Sequence, residues 1–83
     1  MANKQYIFGV FMDLSSAVIG EEYEIERVET EDNDLNAFLF SLGCYAGERI
    51  TVISHKKHNS VVVIKDARYN IDNQLAKAII IKK

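Results

Sequence analysis

Residues 35–42 place the tightest constraint on how this chain can fold. Their apolar side chains recur with the spacing of one helix face, and they are Leu35, Phe38, Leu39 and Leu42. A helix of about 3.6 residues per turn projects all four from one side. Asn33 or Asp34 can cap the first turn by accepting hydrogen bonds from free backbone N–H groups, and Gly43 can adopt the left-handed conformation that ends a helix. The pattern predicts a complete helix whose apolar face packs into a small core.

Composition limits the chain, residues 1–83, to one globular domain. A chain of 83 residues buries only about 60–65% of its unfolded surface, which leaves nothing for a second core. The hydrophobic share of 48% and the charged share of 27% are not those of a disordered chain. A net charge of −2 provides no positive field for phosphates, so we expect no nucleic-acid partner. The single cysteine, Cys44, cannot form an internal disulfide, which favours a reducing compartment and predicts a cytoplasmic location.

An apolar run near the start, residues 6–12, is too short to cross a membrane. A spanning helix needs about 20 apolar residues, and Asp13 ends this run with a charge. We therefore expect no membrane insertion. The run predicts instead a strand or flap over the domain, so residues 1–13 are expected to be an apolar extension and residues 14–83 a barrel.

The rest of the chain alternates between strand patterns and polar turns. Five short strands are predicted at residues 22–28, 49–55, 60–65, around Tyr69 and Ile71, and at residues 77–82. The polar residues 56–59 predict a hairpin turn, and Asp72 can cap a single helical turn that ends at Gln74. The acidic residues 29–34 predict a solvated loop leading to the helix N-terminus, where negative charge is favourable. These elements predict a mainly β fold, a small five-stranded SH3-like barrel with one short helix inserted after its first strand.

The order of these elements resembles the FeoA family, the small cytoplasmic accessory proteins of bacterial ferrous-iron uptake. The motifs that carry the resemblance are Leu14-x-x-Ala17-x-x-Gly20 before Ile25, Leu42-Gly43-x-x-x-Gly47-x-x-Ile50-x-Val52 after the helix, and Ala76-x-x-Ile79-x-Ile81. The resemblance implies an SH3-like accessory protein that docks on the cytoplasmic GTP-binding domain of an iron permease of the FeoB type. Where the family often carries arginines in the helix, this chain has Asn36, Ala37 and Phe38.

A similar fold also occurs as the C-terminal domain of metal-dependent transcriptional repressors. The resemblance therefore implies an alternative function, a transition-metal-binding or metal-sensing module. His55 and His58 flank the hairpin turn and are the candidate ligands, with Cys44 as a soft ligand and carboxylates nearby. They do not form the paired spacing of a structural zinc site, so we expect no required cofactor. At most, Fe²⁺ or another transition metal is expected to bind weakly.

The remaining candidates favour a binding surface over an active site. Cys44 is a lone thiol without a catalytic set around it, which predicts no enzymatic activity. Gly43 and Gly47 bracket a tight corner that needs positive φ and does not follow the pattern of a phosphate loop. The residues proposed to contact a partner at this surface are Phe40, Cys44, Tyr45 and Tyr69.

Overall fold

The computed structural model describes residues 12–83, so the predicted strand or flap at residues 6–12 lies outside the described residues except for Met12. Its strands are β1 (Met12–Asp13), β2 (Glu22–Val28), β3 (Arg49–His55), β4 (Asn59–Ile64), β5 (Ala67–Asp72) and β6 (Ile79–Lys82). Its helices are α1 (Asn33–Ser41), α2 (Asn73–Ala78) and a 3₁₀ turn at Leu14–Ser16. The strands form one antiparallel sheet in the order β1-β6-β2-β3-β4-β5. The mainly β prediction is confirmed, with one strand more than expected.

The extra strand, β1, is too short to show any alternation in the sequence. Met12 pairs with Ile81 and Asp13 with Ile80, so these two residues belong to the sheet and not to the extension in which the sequence placed them. Strand β6 therefore lies between β1 and β2.

The long strands follow the alternation of their side chains. Tyr23 and Ile25 of β2 are buried, while the three glutamates that alternate with them face solvent and pair with cations on neighbouring strands. These pairs are Glu22 with Arg49 at 3.9 Å, Glu24 with Lys82 at 3.9 Å and Glu26 with Lys82 at 3.0 Å. A half-buried sheet of this kind has one apolar and one charged face, which fixes its register.

Strands β4 and β5 form a hairpin through a two-residue turn. Lys65 and Asp66 both have positive φ, of 52° and 68°, and Ile64 pairs with Ala67 across the turn. Positive φ at both central residues is the geometry whose twist matches that of the flanking strands. Strand β4 consequently ends at Ile64, before the predicted limit of residue 65.

Helix α2 covers the open side of the sheet. Within residues 12–83 no pairing joins the two end strands, β1 and β5, but α2 contacts both of them and also the 3₁₀ turn. Asp72 caps the helix as predicted, because its carboxylate accepts hydrogen bonds from the N–H groups of Gln74 at 2.8 Å and Leu75 at 3.0 Å. The helix extends beyond the predicted single turn, so the last strand begins at Ile79.

Helix α1 follows β2, as predicted, but its packing differs from the prediction. Leu39 is only 1% exposed and Leu42 packs against the core, whereas Leu35 is half-buried and Phe38 is 48% exposed. The expectation that Phe38 packs into the core is wrong. The cap is also displaced, since Asp32 rather than Asn33 or Asp34 accepts the hydrogen bonds of the first turn.

Residues from other elements fill the part of the core that the apolar face of α1 was expected to fill. Leu14 of the 3₁₀ turn and Ala76 of α2 are both fully buried on the open side of the sheet, where the sequence had placed the apolar face of α1. Among residues 12–83, helix α1 has no extended packing against any strand and is attached to the core through Leu39 and Leu42. The exposed side of α1 therefore projects from the domain.

Candidate docking site

The site is built on the corner that joins α1 to β3. The N–H of Gly43 donates to the carbonyl of Phe40 at 3.0 Å, and the N–H of Cys44 donates to the carbonyl of Leu39 at 2.9 Å. These bonds satisfy carbonyls that the helix end leaves free. On the other side of the corner the N–H of Gly47 donates to the carbonyl of Ile25 at 2.9 Å. The corner is thus fixed by backbone bonds at both ends.

The two glycines of the corner have positive φ, as the sequence predicted, of 90° at Gly43 and 93° at Gly47. Gly43 has a second constraint, since a Cβ there would lie 3.0 Å from Cε of Lys65 and 3.3 Å from Cγ2 of Ile64. At Gly47 nothing lies within 4 Å of the same position. Gly43 therefore allows the hairpin after β4 to approach the end of α1.

That approach brings together four side chains, which we call the corner cluster: Phe40, Tyr45, Glu48 and Lys65. The ring centroids of Phe40 and Tyr45 are 4.8 Å apart with planes inclined by 36°. Nζ of Lys65 lies 5.4 Å from the Tyr45 ring centroid and 3.3 Å from Oε1 of Glu48. Phe40 remains 65% exposed, although its ring is held against Tyr45. The cluster presents two aromatic rings in contact, with a cation beside them.

The charge of Lys65 is stabilised by its neighbours. The pKa of the Lys65 ammonium is raised by its interactions with Tyr45 first and with Glu48 second. Lys65 therefore stays protonated through the physiological range. Sequence reasoning missed both Glu48 and Lys65, because they join the aromatic pair only through the tight approach at Gly43.

Cys44 does not lie on this surface. Its side chain is 2% exposed, and burial raises the pKa of its thiol to about 12. A thiol with this pKa is protonated at neutral pH, and the thiolate is the form that acts as a nucleophile. The expectation that Cys44 contacts a partner is wrong, because its side chain belongs to the core.

Tyr69 is also absent from the cluster. It lies on β5 opposite Val62 and packs, half-buried, against the core. The structure thus brings together two of the four predicted contact residues, Phe40 and Tyr45. Their role in binding a partner stays a prediction.

The two candidate metal ligands have different surroundings. Both ring nitrogens of His55 are in hydrogen bonds, Nδ1 with Oγ of Ser60 at 2.9 Å and Nε2 with the carbonyl of Ala17 at 3.0 Å. His55 therefore ties the segment after the 3₁₀ turn to the β3–β4 hairpin and has no free nitrogen for a metal. His58 lines a groove of about 440 Å³ with Asp72 and Lys77. Residues 12–83 contain no group of three or more histidine, cysteine, aspartate or glutamate side chains arranged to hold a metal ion.

Comparison with known proteins identifies the family. The model of the FeoA domain matches residues 12–83, nearly the whole chain. The chain belongs to the FeoA domain family. The family assigned from the motifs of the sequence is thereby confirmed, and with it the association with ferrous-iron transport. A comparison with curated proteins found no match.

Solved structures with the same fold include other FeoA proteins. The crystal structure of an iron uptake regulatory protein (FeoA) has 18% sequence identity and a TM-score of 0.79, over 87% of this chain and 96% of that one. FeoA from Stenotrophomonas maltophilia, an SH3 domain protein solved with zinc, has 18% identity and a TM-score of 0.76, over 86% and 89%. The SH3-like prediction for this FeoA domain is confirmed.

The fold also occurs as part of larger proteins. A manganese-dependent transcriptional repressor has 19% identity and a TM-score of 0.81, over 88% of this chain but only 41% of its own length. This likeness concerns the fold alone. Within residues 12–83 of this FeoA domain, no helix has the length and apolar character needed to span a membrane.

Proposed function

We propose that this FeoA domain is a non-enzymatic cytoplasmic accessory protein of ferrous-iron uptake. It docks on the cytoplasmic GTP-binding domain of an iron permease of the FeoB type, and the corner cluster is part of the surface that binds. The family assignment supports the iron-uptake role. A surface role is supported by the packing of the domain, whose reactive thiol candidate is buried and protonated.

The observation that carries the docking proposal is the exposed and ordered ring of Phe40. A phenylalanine exposed to 65% places apolar area in water, and its contact with Tyr45 holds the ring in one place. Ordered aromatic side chains lose little conformational entropy on binding and are frequent at the centre of protein interfaces. Lys65 and Glu48 add a cation and an anion at fixed positions, which give such a contact its orientation.

The test is a titration of isotope-labelled protein with the GTP-binding domain of the permease from the same genome. We expect saturable chemical-shift changes at residues 40–48 and at Lys65. Replacement of Phe40 by alanine should weaken binding about tenfold. Ile19→Ala is a matched control, since Ile19 is also an exposed apolar residue, at 52%, in a turn before β2. The absence of saturable binding at high micromolar concentration would contradict the proposal.

A second candidate function, weak transition-metal binding, has one specific observation in its favour. Oδ1 of Asn59 is a buried acceptor without a hydrogen-bond partner in the part of the chain described, and Asn59 lines the groove of His58 and Asp72. A cation in the groove would be coordinated by these oxygen and nitrogen atoms, although the positively charged Lys77 in the same groove would repel it.

Calorimetry with Fe²⁺ under anaerobic conditions tests this second function. Metal binding predicts a saturable heat that His58→Ala abolishes and His55→Ala retains. A heat indistinguishable from dilution, or one that survives the loss of His58, rejects it.

A further inference from the structure

The outer side of α1 is a surface that the corner cluster does not account for. Its exposed residues are Asn33, Asp34, Ala37, Phe38, Phe40 and Ser41. At about 100° per residue these positions form one continuous arc roughly 160° wide, centred opposite Leu39. We call this arc the outer face of α1.

Two phenylalanines border the outer face. Phe40 and Phe38 lie at its two edges and are 65% and 48% exposed. Between them lie the polar side chains of Asn33 and Asp34 and the small side chains of Ala37 and Ser41, and the Ser41 hydroxyl donates to the carbonyl of Phe38 at 2.6 Å. The two rings therefore supply apolar area on either side of Ala37 and Ser41.

The N-terminal end of this face is negatively charged. Residues 28–48 contain five carboxylates and no lysine, arginine or histidine. Glu29 is paired with Arg27 at 2.6 Å and Glu48 with Lys65. The other three, Glu31, Asp32 and Asp34, have no ion-pair partner among residues 12–83 and lie at the start of α1.

The other end of α1 carries no such excess of negative charge. No basic residue occupies its last turn, but Lys65 of the corner cluster lies beside Gly43 and is paired with Glu48. An apolar surface with unpaired negative charge at its N-terminal end is complementary to an apolar ridge with positive charge beside it.

We propose that the outer face of α1 binds a basic amphipathic helix of the partner. This inference rests on the proposed function, and it names the chemistry of the segment that docks. The apolar ridge of that helix packs over Ala37 and Ser41 between the two phenylalanine rings, in the manner of ridges into grooves. Lysine or arginine side chains on its flanks pair with Glu31 and Asp34.

An acidic segment is a poorer occupant, because like charges in contact with the three unpaired carboxylates are unfavourable. A second copy of this chain is the competing occupant, and the test below distinguishes it from the partner helix.

The test compares variants of the full chain in binding to the GTP-binding domain of the permease. Phe38→Ala removes one of the two rings, Ala37→Trp fills the space between them, and Asp34→Asn removes a charge without touching the Asp32 cap. We expect each of the first two to weaken binding about tenfold and Asp34→Asn to weaken it about threefold. The affinity of the wild type should fall between 50 and 300 mM salt, and that of Asp34→Asn should fall less steeply.

Matched controls separate these effects from a loss of folding. Ile19→Ala and Glu22→Gln remove an exposed apolar and an exposed acidic side chain elsewhere, and we expect both to bind like the wild type. All variants should unfold within a few degrees of the wild type, because none of the changed side chains is buried.

The possible outcomes distinguish the inference from the proposed function. If Phe40→Ala weakens binding while Phe38→Ala and Ala37→Trp do not, docking stands and the outer face is not part of it. If nothing binds the permease domain, both proposals fail. If Phe38→Ala changes only self-association, measured by sedimentation, a second copy occupies the face and the inference is overturned.

Discussion

Replacement of Gly43 by alanine tests whether the approach of the β4–β5 hairpin to α1 stabilises the corner. The new Cβ would lie 3.0 Å from Cε of Lys65 and 3.3 Å from Cγ2 of Ile64. The lysine chain can move away, but Ile64 is 1% exposed and packed in the core. Gly47→Ala is the matched control, since it has the same sign of φ and open space around the added methyl group.

The expected magnitudes follow from two separate costs. An alanine at positive φ costs about 1–2 kcal/mol, and the reduced freedom of the unfolded chain offsets about 0.4–1 kcal/mol of this. Gly47→Ala should therefore lower the free energy of unfolding by about 1 kcal/mol. At Gly43 the methyl group also presses on Ile64, and overpacking of a core costs about 1–3 kcal/mol more. Gly43→Ala should lose about 2–4 kcal/mol in total.

Urea unfolding at constant pH measures both values. In thermal unfolding, 1 kcal/mol corresponds to about 4–8 °C for a domain of this size. Gly43→Ala should also shift the resonances of the Tyr45 ring, because Lys65 must leave its position beside that ring, whereas Gly47→Ala should not. Equal losses in the two variants, or a larger loss at Gly47, would refute the argument that the hairpin approach sets the requirement at Gly43.

Three further predictions concern stability. Leu39→Ala should cost about 2–5 kcal/mol in urea unfolding and Phe38→Ala less than about 1 kcal/mol, and a reversed order would contradict the burial seen here. Asp72→Ala should lose about 1 kcal/mol of unfolding free energy through its cap while Asp72→Asn retains most of it; equal losses would argue against the cap. Because burial raises the pKa of the Cys44 thiol to about 12, the unfolded chain releases this proton first, so stability should fall as pH rises from about 9 to 12. The fall in the free energy of unfolding should be shallower in Cys44→Ala, and parallel pH profiles of the two proteins would disprove the role of the buried thiol.

Strand positions were predictable because alternation and burial agree. Tyr23, Ile25, Ile50 and Val52 alternate with polar or half-exposed residues, and the structure buries these four. Strand β1 was not predictable, since two residues cannot show a period. The cap of α1 was ambiguous for a chemical reason, because Asp32, Asn33 and Asp34 all carry an oxygen that can accept from the first turn.

The error at Phe38 has a different origin. Periodicity identifies which residues share a helix face, but it does not say how much of that face meets other elements. The core includes Leu14 and Ala76, which come from opposite ends of the sequence of the domain, and does not include Phe38. The candidate site was predictable only in part. Phe40 and Tyr45 were identified by type and position, whereas Lys65 reaches them only through the tertiary fold.

The position of β6 has a consequence for biosynthesis. This strand is the last to be synthesised, yet it lies inside the sheet between β1, near residue 12, and β2. Until Ile79–Lys82 has left the ribosome, the backbone N–H and C=O groups along one edge of β2 have no partner strand, and β1 has no strand with which to pair. Completion of the domain therefore waits for translation to pass these residues, and the emerging chain is most prone to aggregation just before that point.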